Sequence, residues 1–568
     1  MNNFHVKSCK SFVIINFFNK SFILKKNKDD INYKSLIHRL LLNHNLITYI
    51  VEEDVDIFEV KSTQCSTIEI LLGEKISGME HQSSVKEFVY VLDNKSKQIN
   101  LKEYFLVPKF LKLPDDTMEK YDEVIYELKK CNKKKFRARK IEEIYRIFEY
   151  QFLDKDIGIF NTLLDNFEGA FPVSVAMLPL NNGKEEPGVG RTKNVLNSRT
   201  VAMLEAAERY CGMSPKGKKT IDHFDSEEYI NIESLILHNN DFLLNKGLRN
   251  STFPTYPIIK TMKWVESLEI NTYRKVLIPE NYGYYGLNVV NPYSKINYLA
   301  YEISNGCSIG NNYSEVIYYG LMEVLERDAF LSFWYFDTPK KMIKSINNKQ
   351  TVEFINKFQK FYNDYDLFLY DISNDNEIPV VMASVISIKE TNSKMNFMCA
   401  AAADINIFVA IEKAIQEISG ILFGLNDKFL ERYNELCQIV DGEIDVKTME
   451  DHSLVYGLPK YRQLIKEKLK SRETISVSDE NSAPYSLEES LKLVKNNLSK
   501  NKKEILFLDQ TSIEIKEINF KVGKVIVPGL LPMTFGKKNI RINKKRKEEL
   551  ENYFNCSLNT DLSPHPFP

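Results

Sequence analysis

Charge imbalance is missing from this sequence: 76 lysines and arginines stand against 77 aspartates and glutamates in 568 residues, for a net charge of −1. An extended nucleic-acid footprint needs a basic excess, so nucleic acid is not an expected partner. Close cysteine pairs are missing too. The eight cysteines contain no Cys-x-x-Cys, which signals neither a zinc knuckle nor a disulfide framework, and reduced cytoplasmic thiols are the expectation. No apolar run reaches the length of a membrane span. Phe12–Phe18 is apolar but short, is interrupted by Asn16 and precedes no small-residue cleavage site, which predicts a strand rather than a signal peptide. The first 150 residues hold no Gly-x-Gly-x-x-Gly and no cysteine quartet, so a complete adenylating or zinc unit is not expected there. The length allows roughly two to four domains.

What is present is a repeated acid-base pattern. Glu205-x-x-Glu208-Arg209 and Glu323-x-x-Glu326-Arg327 stand 118 positions apart. On a helix, positions i, i+3 and i+4 share a face, so each copy presents two carboxylates and a guanidinium together. About 0.1 chance matches to such a pattern are expected in a chain of this length. The second copy lies in Val316–Phe336, where only Glu323, Glu326, Arg327 and Asp328 are charged. A helix so apolar on nearly every face should be buried, and buried acids need partners or a metal. Upstream, Ser304–Asn312 is rich in turn residues and glycines that allow close backbone approach to a ligand. Glu315 follows, eight residues before Glu323 and on nearly the same face. If the two helices pack together, Glu205, Glu208, Glu315, Glu323 and Glu326 converge. Carboxylates about 4 Å apart repel by roughly 4 kcal/mol at an effective dielectric near 20, which a hard divalent cation such as Mg²⁺ relieves.

These residues resemble the YcaO proteins, which bind ATP and Mg²⁺ through repeated Glu-x-x-Glu-Arg helices. The resemblance runs from about Phe171 onward. Gly188-Val189-Gly190-Arg191 followed by Leu204–Tyr210 is similar to the family's glycine-rich segment and first helix. Ser308, Asn311, Glu315, Glu323, Glu326 and Arg327 fall at the family's spacing, and Ala400–Glu417 is similar to a later helix. The resemblance implies that Glu205, Glu208, Glu315, Glu323 and Glu326 hold Mg²⁺. It implies that Arg209 and Arg327 contact phosphates and that Ser308 and Asn311 seat the nucleotide, with Arg191, Lys413 and Glu417 as further nucleotide-site residues. Arg191 stands where the family has a lysine, Lys413 where it has an arginine, and Val201 where it often has a serine.

The segment Ser563-Pro564-His565-Pro566-Phe567-Pro568 favours extended, polyproline-like geometry. It looks like the terminal signature of azoline-forming YcaO cyclodehydratases, in which Pro564, Pro566 and Pro568 would reach the active site. Val525–Gly536 resembles the streptolysin-type D component of such systems. The implied reaction is ATP-dependent conversion of Cys, Ser or Thr in a ribosomal precursor peptide to thiazoline or oxazoline, with the amide oxygen phosphorylated. The substrate supplies the nucleophile. A separate E1-like, leader-binding C protein is implied as a partner, with a flavin-dependent dehydrogenase and a second copy of this chain as further ones.

The expected fold is mixed α/β (α+β): a YcaO-type domain at 151–555 with the ATP site between helices, a small N-terminal α/β docking domain at 1–150 and a proline-rich tail at 556–568. Within the first part, Val13–Leu24 and Ile47–Val60 read as strands, Tyr33–Asn43 as a helix and Pro108–Pro114 as a connection. The basic run Lys129–Lys140 could face the partner or an acidic leader, with a solvated helix face as the plainer reading. Asp427–Lys503 reads as charged and helical, and His452 within it as a buried structural residue or a general base. Three other readings compete: a YcaO enzyme forming thioamides or amidines, a non-catalytic homologue that binds leader peptide, and a small-molecule kinase or ligase. The tail argues against the first and third, the intact glutamates against the second.

Overall fold

The computed structural model describes residues 4–8, 12–25, 31–44, 72, 75–76, 79, 86–96, 98–106, 121–129, 136–181, 183–216, 218, 220–221, 229–253, 262–287, 298–442, 445–478 and 486–567. A five-stranded antiparallel sheet comes first, with β1 (Phe4–Ser8), β2 (Phe12–Phe17), β3 (Lys20–Lys25), β4 (Lys86–Asp93) and β5 (Ile99–Phe105) in sequential order. The single strand expected over Val13–Leu24 is a hairpin. Phe18 takes a left-handed φ of 50° and the chain reverses, pairing Ile14 with Ile23. The expected helix at Tyr33–Asn43 is found within α1 (Ile31–Asn43), whose Leu36, Ile37 and Leu40 cover this sheet. The readings at 47–60 and 108–114 lie outside the described residues.

The acid-bearing helices rest on two further sheets. In the first, β6 (Thr162–Asn166), β7 (Val173–Pro179) and β8 (Glu185–Arg191) form an antiparallel meander. Helix α4 (Val195–Gly212) lies across it, while α2 (Asp122–Lys129) and α3 (Ile141–Phe152) precede it in the chain. The glycine-rich segment is therefore strand β8. A Cβ on Gly190 would stand 1.8 Å from Ser198 O and one on Gly188 2.3 Å from Ala206 N, so these glycines bring strand and helix into backbone contact.

The second sheet, all antiparallel, contains β9 (Trp264–Glu269), β10 (Lys275–Pro279), β11 (Cys307–Gly310), β17 (Leu506–Asp509) and β18 (Lys521–Ile526) in the order β10-β9-β17-β18-β11. Helix α5 (Tyr313–Phe336) packs on β11 and β18, and α4 touches the same two strands. The helices thus share a supporting sheet, rather than the extensive helix-on-helix packing the sequence suggested. Asparagines start both: Asn194 Oδ1 accepts from Asn197 N and Asn312 Oδ1 from Glu315 N, each occupying an orphan amide of a first turn.

A third sheet runs β15-β14-β13-β12-β16, comprising β12 (Lys341–Asn347), β13 (Tyr365–Asp371), β14 (Val380–Ser387), β15 (Phe397–Ala403) and β16 (Glu473–Ser478), with only the β12–β16 pair parallel. It is sandwiched between α5 and α6 (Ile407–Glu431). Cys399, Ala401 and Ala403 join the core on the α5 side, and Met398, Ala400 and Ala402 join the core on the α6 side. Ala400–Ala403, expected as part of a helical block, is therefore strand. Its small side chains let helices close on both faces. Likewise β16 interrupts the helical stretch expected at 427–503.

Helix α7 (Met449–Tyr456) lies between α6 and β16, and α8 (Lys544–Phe554) follows β18. Arg546 of α8 and Asp328 of α5 are both 0% exposed, and the guanidinium donates to Asp328 at 2.6 and 3.0 Å and to Asp375 at 2.6 and 2.7 Å. Asp328 also accepts from Leu531 N at 2.9 Å and Asn374 Nδ2 at 2.7 Å. The N-terminal unit is tied on similarly. Arg39 of α1 donates to Phe105 O and lies 3.7 Å from Glu514, whose carboxylate accepts from Tyr210 OH at 2.7 Å. Among the described residues no helix is long and apolar enough to cross a membrane.

Candidate functional site

Glu205, Glu208, Glu323 and Glu326 form one electrostatic group on the half-buried faces of α4 and α5. Burial, then Glu323 and Glu205, holds the Glu208 carboxyl well above the usual range. Burial also raises Glu323, with Arg327 opposing and Glu205 adding to the shift. Glu326 is pushed up to about 7 by burial, against Arg327 and with help from Glu323 and Glu417. Three carboxyls raised by burial, with neighbouring acids adding to the shift, mark a site short of positive charge.

Arginines supply part of that charge. Arg209 bonds Glu205 at 2.7 Å and Glu186 of β8, while Glu205 also accepts from Val189 N at 2.7 Å. Arg327 lies 3.7 Å from Glu323 and 3.3 Å from Glu326. The Nε atoms of Arg209 and Arg327 are buried without an acceptor. At the rim, Arg191 reaches Glu417 of α6 at 2.9 Å across Gly420, where a Cβ would meet the arginine Cδ at 2.2 Å. Lys413 pairs with Asp404 at 2.8 Å.

The loop entering α5 divides the remaining candidates. Glu315 is fully buried and its oxygens accept from Ala138 N at 2.9 Å, Asn311 N at 3.0 Å and Asn312 Nδ2 at 2.7 Å. It braces the helix start against residues 136–140, the end of the basic run, and does not enter the electrostatic group of the other four acids. Ser308 Oγ donates to Val316 O at 2.6 Å. Asn311 differs, because both its side-chain polar atoms are buried with no partner. The glycines here are filled by protein. Gly306, at φ 73°, meets Val525 O at 2.2 Å from an ideal Cβ, and Gly310 meets Glu315. The close approach expected for a ligand is taken by backbone.

Among the described residues, no three His, Cys, Asp or Glu side chains stand close enough together to hold one ion. The chemistry of the site nevertheless fits Mg²⁺ and a nucleotide. Carboxyls raised by burial and, after it, by neighbouring acids would ionise beside a cation, and the unpartnered Arg209 and Arg327 Nε–H groups and the Asn311 amide are donors suited to phosphate or sugar oxygens.

The tail closes the site from one side. Phe567 is 5% exposed, its ring lies 4.4 Å from the Arg327 guanidinium carbon and 4.7 Å from the Phe330 ring. His565 is 0% exposed. Pro564 and Pro566 present their carbonyls to α7, and Pro568 lies outside the described residues.

Several site residues carried no signal in the sequence. Glu186 partners Arg209 from a strand. The Tyr285 hydroxyl is buried without a partner in the field of Arg209, Glu208 and Glu186. Lys524 of β18, 2.9 Å from Glu302, is fully buried and lowers the Glu323 carboxyl. All three are ordinary residue types in unremarkable contexts, and only the tertiary fold brings them to the acids, Glu186 and Lys524 from strands of two different sheets and Tyr285 from a bend.

The family description "YcaO cyclodehydratase, ATP- and Mg²⁺-binding" matches residues 189–531, more than half of the chain. An uncharacterized protein of Methanothermobacter thermautotrophicus is 28% identical over 192 residues, which are 34% of this chain and 42% of that protein. The alignment thus spans less than half the length of that curated relative. Among solved structures, a heterocyclase in complex with substrate and cofactor has a TM-score of 0.66 at 18% identity, covering 93% of this chain and 72% of its own. The heterocyclase TruD has a TM-score of 0.55 at 16% identity, covering 94% and 70%. At such identities the likeness establishes the mixed α/β fold.

Proposed function

Because this chain belongs to the YcaO family of ATP- and Mg²⁺-binding cyclodehydratases, we propose that it forms thiazolines or oxazolines from Cys, Ser or Thr in a ribosomally made precursor peptide. The side chain of the substrate attacks the preceding amide carbon and closes the ring, the former amide oxygen takes the γ-phosphoryl group of ATP with release of ADP, and phosphate leaves as the nitrogen loses its proton and the ring C=N bond forms. The observation that carries this reading is the junction at Arg327. One residue closes the acid group through Glu323 and Glu326 and also touches Phe567 of the proline-alternating tail.

The residues suit phosphoryl transfer, which needs positioning and charge neutralisation more than covalent chemistry. Glu205, Glu208, Glu323 and Glu326 would hold Mg²⁺, with Glu315 reaching it only by giving up its helix-start bonds. Bound there, Mg²⁺ would neutralise charge on the transferring phosphoryl group. Arg209, Arg327 and Asn311 would orient the phosphates and nucleoside, with Ser308 shaping the loop and Arg191, Lys413 and Glu417 bounding the rim. Pro564, Pro566 and Pro568 would keep the tail extended and in place.

In this reading residues 1–150 dock a partner protein or the leader peptide, 151–555 carry catalysis and 556–568 close the site. A flavin-dependent dehydrogenase acting on the rings, a homodimer and a cytoplasmic setting complete the proposal. Calorimetric titration of ATP with Mg²⁺ into the purified chain tests the site. Saturable, Mg²⁺-dependent binding that Glu323→Gln abolishes is expected. A folded wild-type chain that binds no nucleotide, alone or with its C partner, would remove the enzymatic reading in favour of leader binding without turnover.

A further inference from the structure

The tail is gripped by its backbone. Trp334 Nε1–H donates to Ser563 O at 3.0 Å, Tyr456 OH to Pro564 O at 2.6 Å and Ser453 Oγ–H to Pro566 O at 3.1 Å. The carbonyl between the last two, His565 O, lies 2.7 Å from His452 Nδ1. Since Gly536 N–H donates to His452 Nε2 at 2.7 Å, the proton of this ring sits on Nδ1 and His452 is the fourth donor. Four consecutive carbonyls are therefore read, three of them by positions 452, 453 and 456 of α7. An extended proline-alternating strand has no internal hydrogen bonds, and Pro564 and Pro566 have no N–H to leave unpaired on the opposite side. Aromatic walls complete the groove. Trp334 and Tyr456 meet edge to face at 5.2 Å, Phe330 and Tyr335 contribute from α5, and Phe535 lies 5.5 Å from His565.

We infer that α7, with Trp334, forms a carbonyl-reading groove for an extended, proline-alternating peptide, and that the tail is a separable ligand of it. The groove discriminates by backbone shape and by the side chains at positions 565 and 567, the buried His565 ring donating to Thr534 O at 2.9 Å, not by contacts unique to the proline rings. His452, Ser453, Tyr456 and Trp334 are then positioning residues: they act on Arg327 only through the seated Phe567. This deepens the cyclodehydratase reading and rests on it for its activity arm, whereas the binding arm stands alone.

The test uses the full chain with its own tail weakened by His565→Ala and Phe567→Ala, titrated with a fluorescein-labelled hexapeptide of sequence SPHPFP and followed by anisotropy. Saturable binding is expected, and adding Ser453→Ala with Tyr456→Phe should weaken it roughly 10-fold or more for two lost hydrogen bonds. The wild-type chain should bind the labelled peptide far less, because its tethered tail competes at an effective concentration on the order of millimolar. Phe567→Ala alone serves if the double variant loses its fold by circular dichroism. No binding by the folded weakened chain, or binding indifferent to the α7 substitutions, overturns the groove.

In the activity arm, unlabelled peptide should restore kcat of ring formation, at a concentration matching the binding curve, with little change in KM for ATP. Binding without recovery, in the presence of an active wild type, overturns the positioning role alone. A wild type that forms no rings overturns the proposed reaction and leaves the groove standing.

Discussion

Glu326 joins the acid group on one side and Arg327 on the other, and its carboxyl is pushed up to about 7 by burial. An unfolded glutamate titrates near 4.5. Between these values the metal-free fold holds more protons than the unfolded chain, so this group makes stability fall as pH rises from about 4.5 to about 7, by up to roughly 3 kcal/mol. Glu208 and Glu323 are shifted in the same direction. Cation binding requires the ionised form, so Mg²⁺-nucleotide affinity should strengthen with rising pH through about 7, with proton release near pH 6 whose Glu326 share largely disappears near pH 8. Calorimetry in two buffers of different ionisation heat counts those protons, and Glu326→Gln should remove part of the release. A proton count independent of pH would mean that the acids do not take the cation. At this scale the sequence was informative about Glu205, Glu208, Glu323 and Glu326, because repetition and apolar surroundings mark them. It was not informative about Glu315, since a glutamate at N3 of a helix has the same letter whether it braces the start or faces a ligand. His452 was left between two roles, and the bonds it makes to Gly536 and His565 resolve it as structural: burial holds its ring down to about 4, leaving it neutral.

Strand β8 and helix α4 show how an element can be misread from its residue types. Gly188 and Gly190 read only as a glycine-rich segment, whereas the missing side chains serve strand-on-helix contact that sets Val189 N against Glu205. Gly190→Ala should force the two elements apart, costing about 1–3 kcal/mol as overpacking does and weakening nucleotide binding through Glu205 and Arg209. A denaturation midpoint together with an ATP titration checks both effects, and wild-type values in each would contradict the contact. The two acid-bearing helices were legible from the repeated acid-base spacing and the apolar surroundings of the second. The supporting strands β11, β17 and β18 were not, because short buried runs lack alternation and the pairings of β11 with β18 and of β17 with β9 join residues more than two hundred positions apart. Ala400–Ala403 shows the same limit, as a strand buried on both faces carries no period-two signal.

Across the whole molecule, the acid group depends on parts distant in sequence. Arg546 neutralises Asp328 and Asp375 at once, joining α5, the loop after β13 and α8, while Arg39, Glu514 and Tyr210 join the N-terminal sheet to α4. Arg546→Met leaves two buried carboxylates without a counter-charge and should cost about 3–5 kcal/mol, read as a lowered urea midpoint that Arg546→Lys partly recovers. A change under about 1 kcal/mol would show that water reaches the pair. The two-sided dependence was invisible in advance, because neither Asp328 nor Arg546 lies in a repeated pattern and a buried ion pair has no sequence period.

That pairing also sets a schedule. A growing chain acquires Asp328 218 residues before Arg546, a delay on the order of 10–40 s at ordinary rates of translation. Throughout it the ribosome displays an unneutralised carboxylate in an apolar helix, a state suited to chaperone capture. A chain interrupted before Arg546 leaves Asp328 and Asp375 without their shared counter-charge, so such fragments are expected to fold less stably than the full chain.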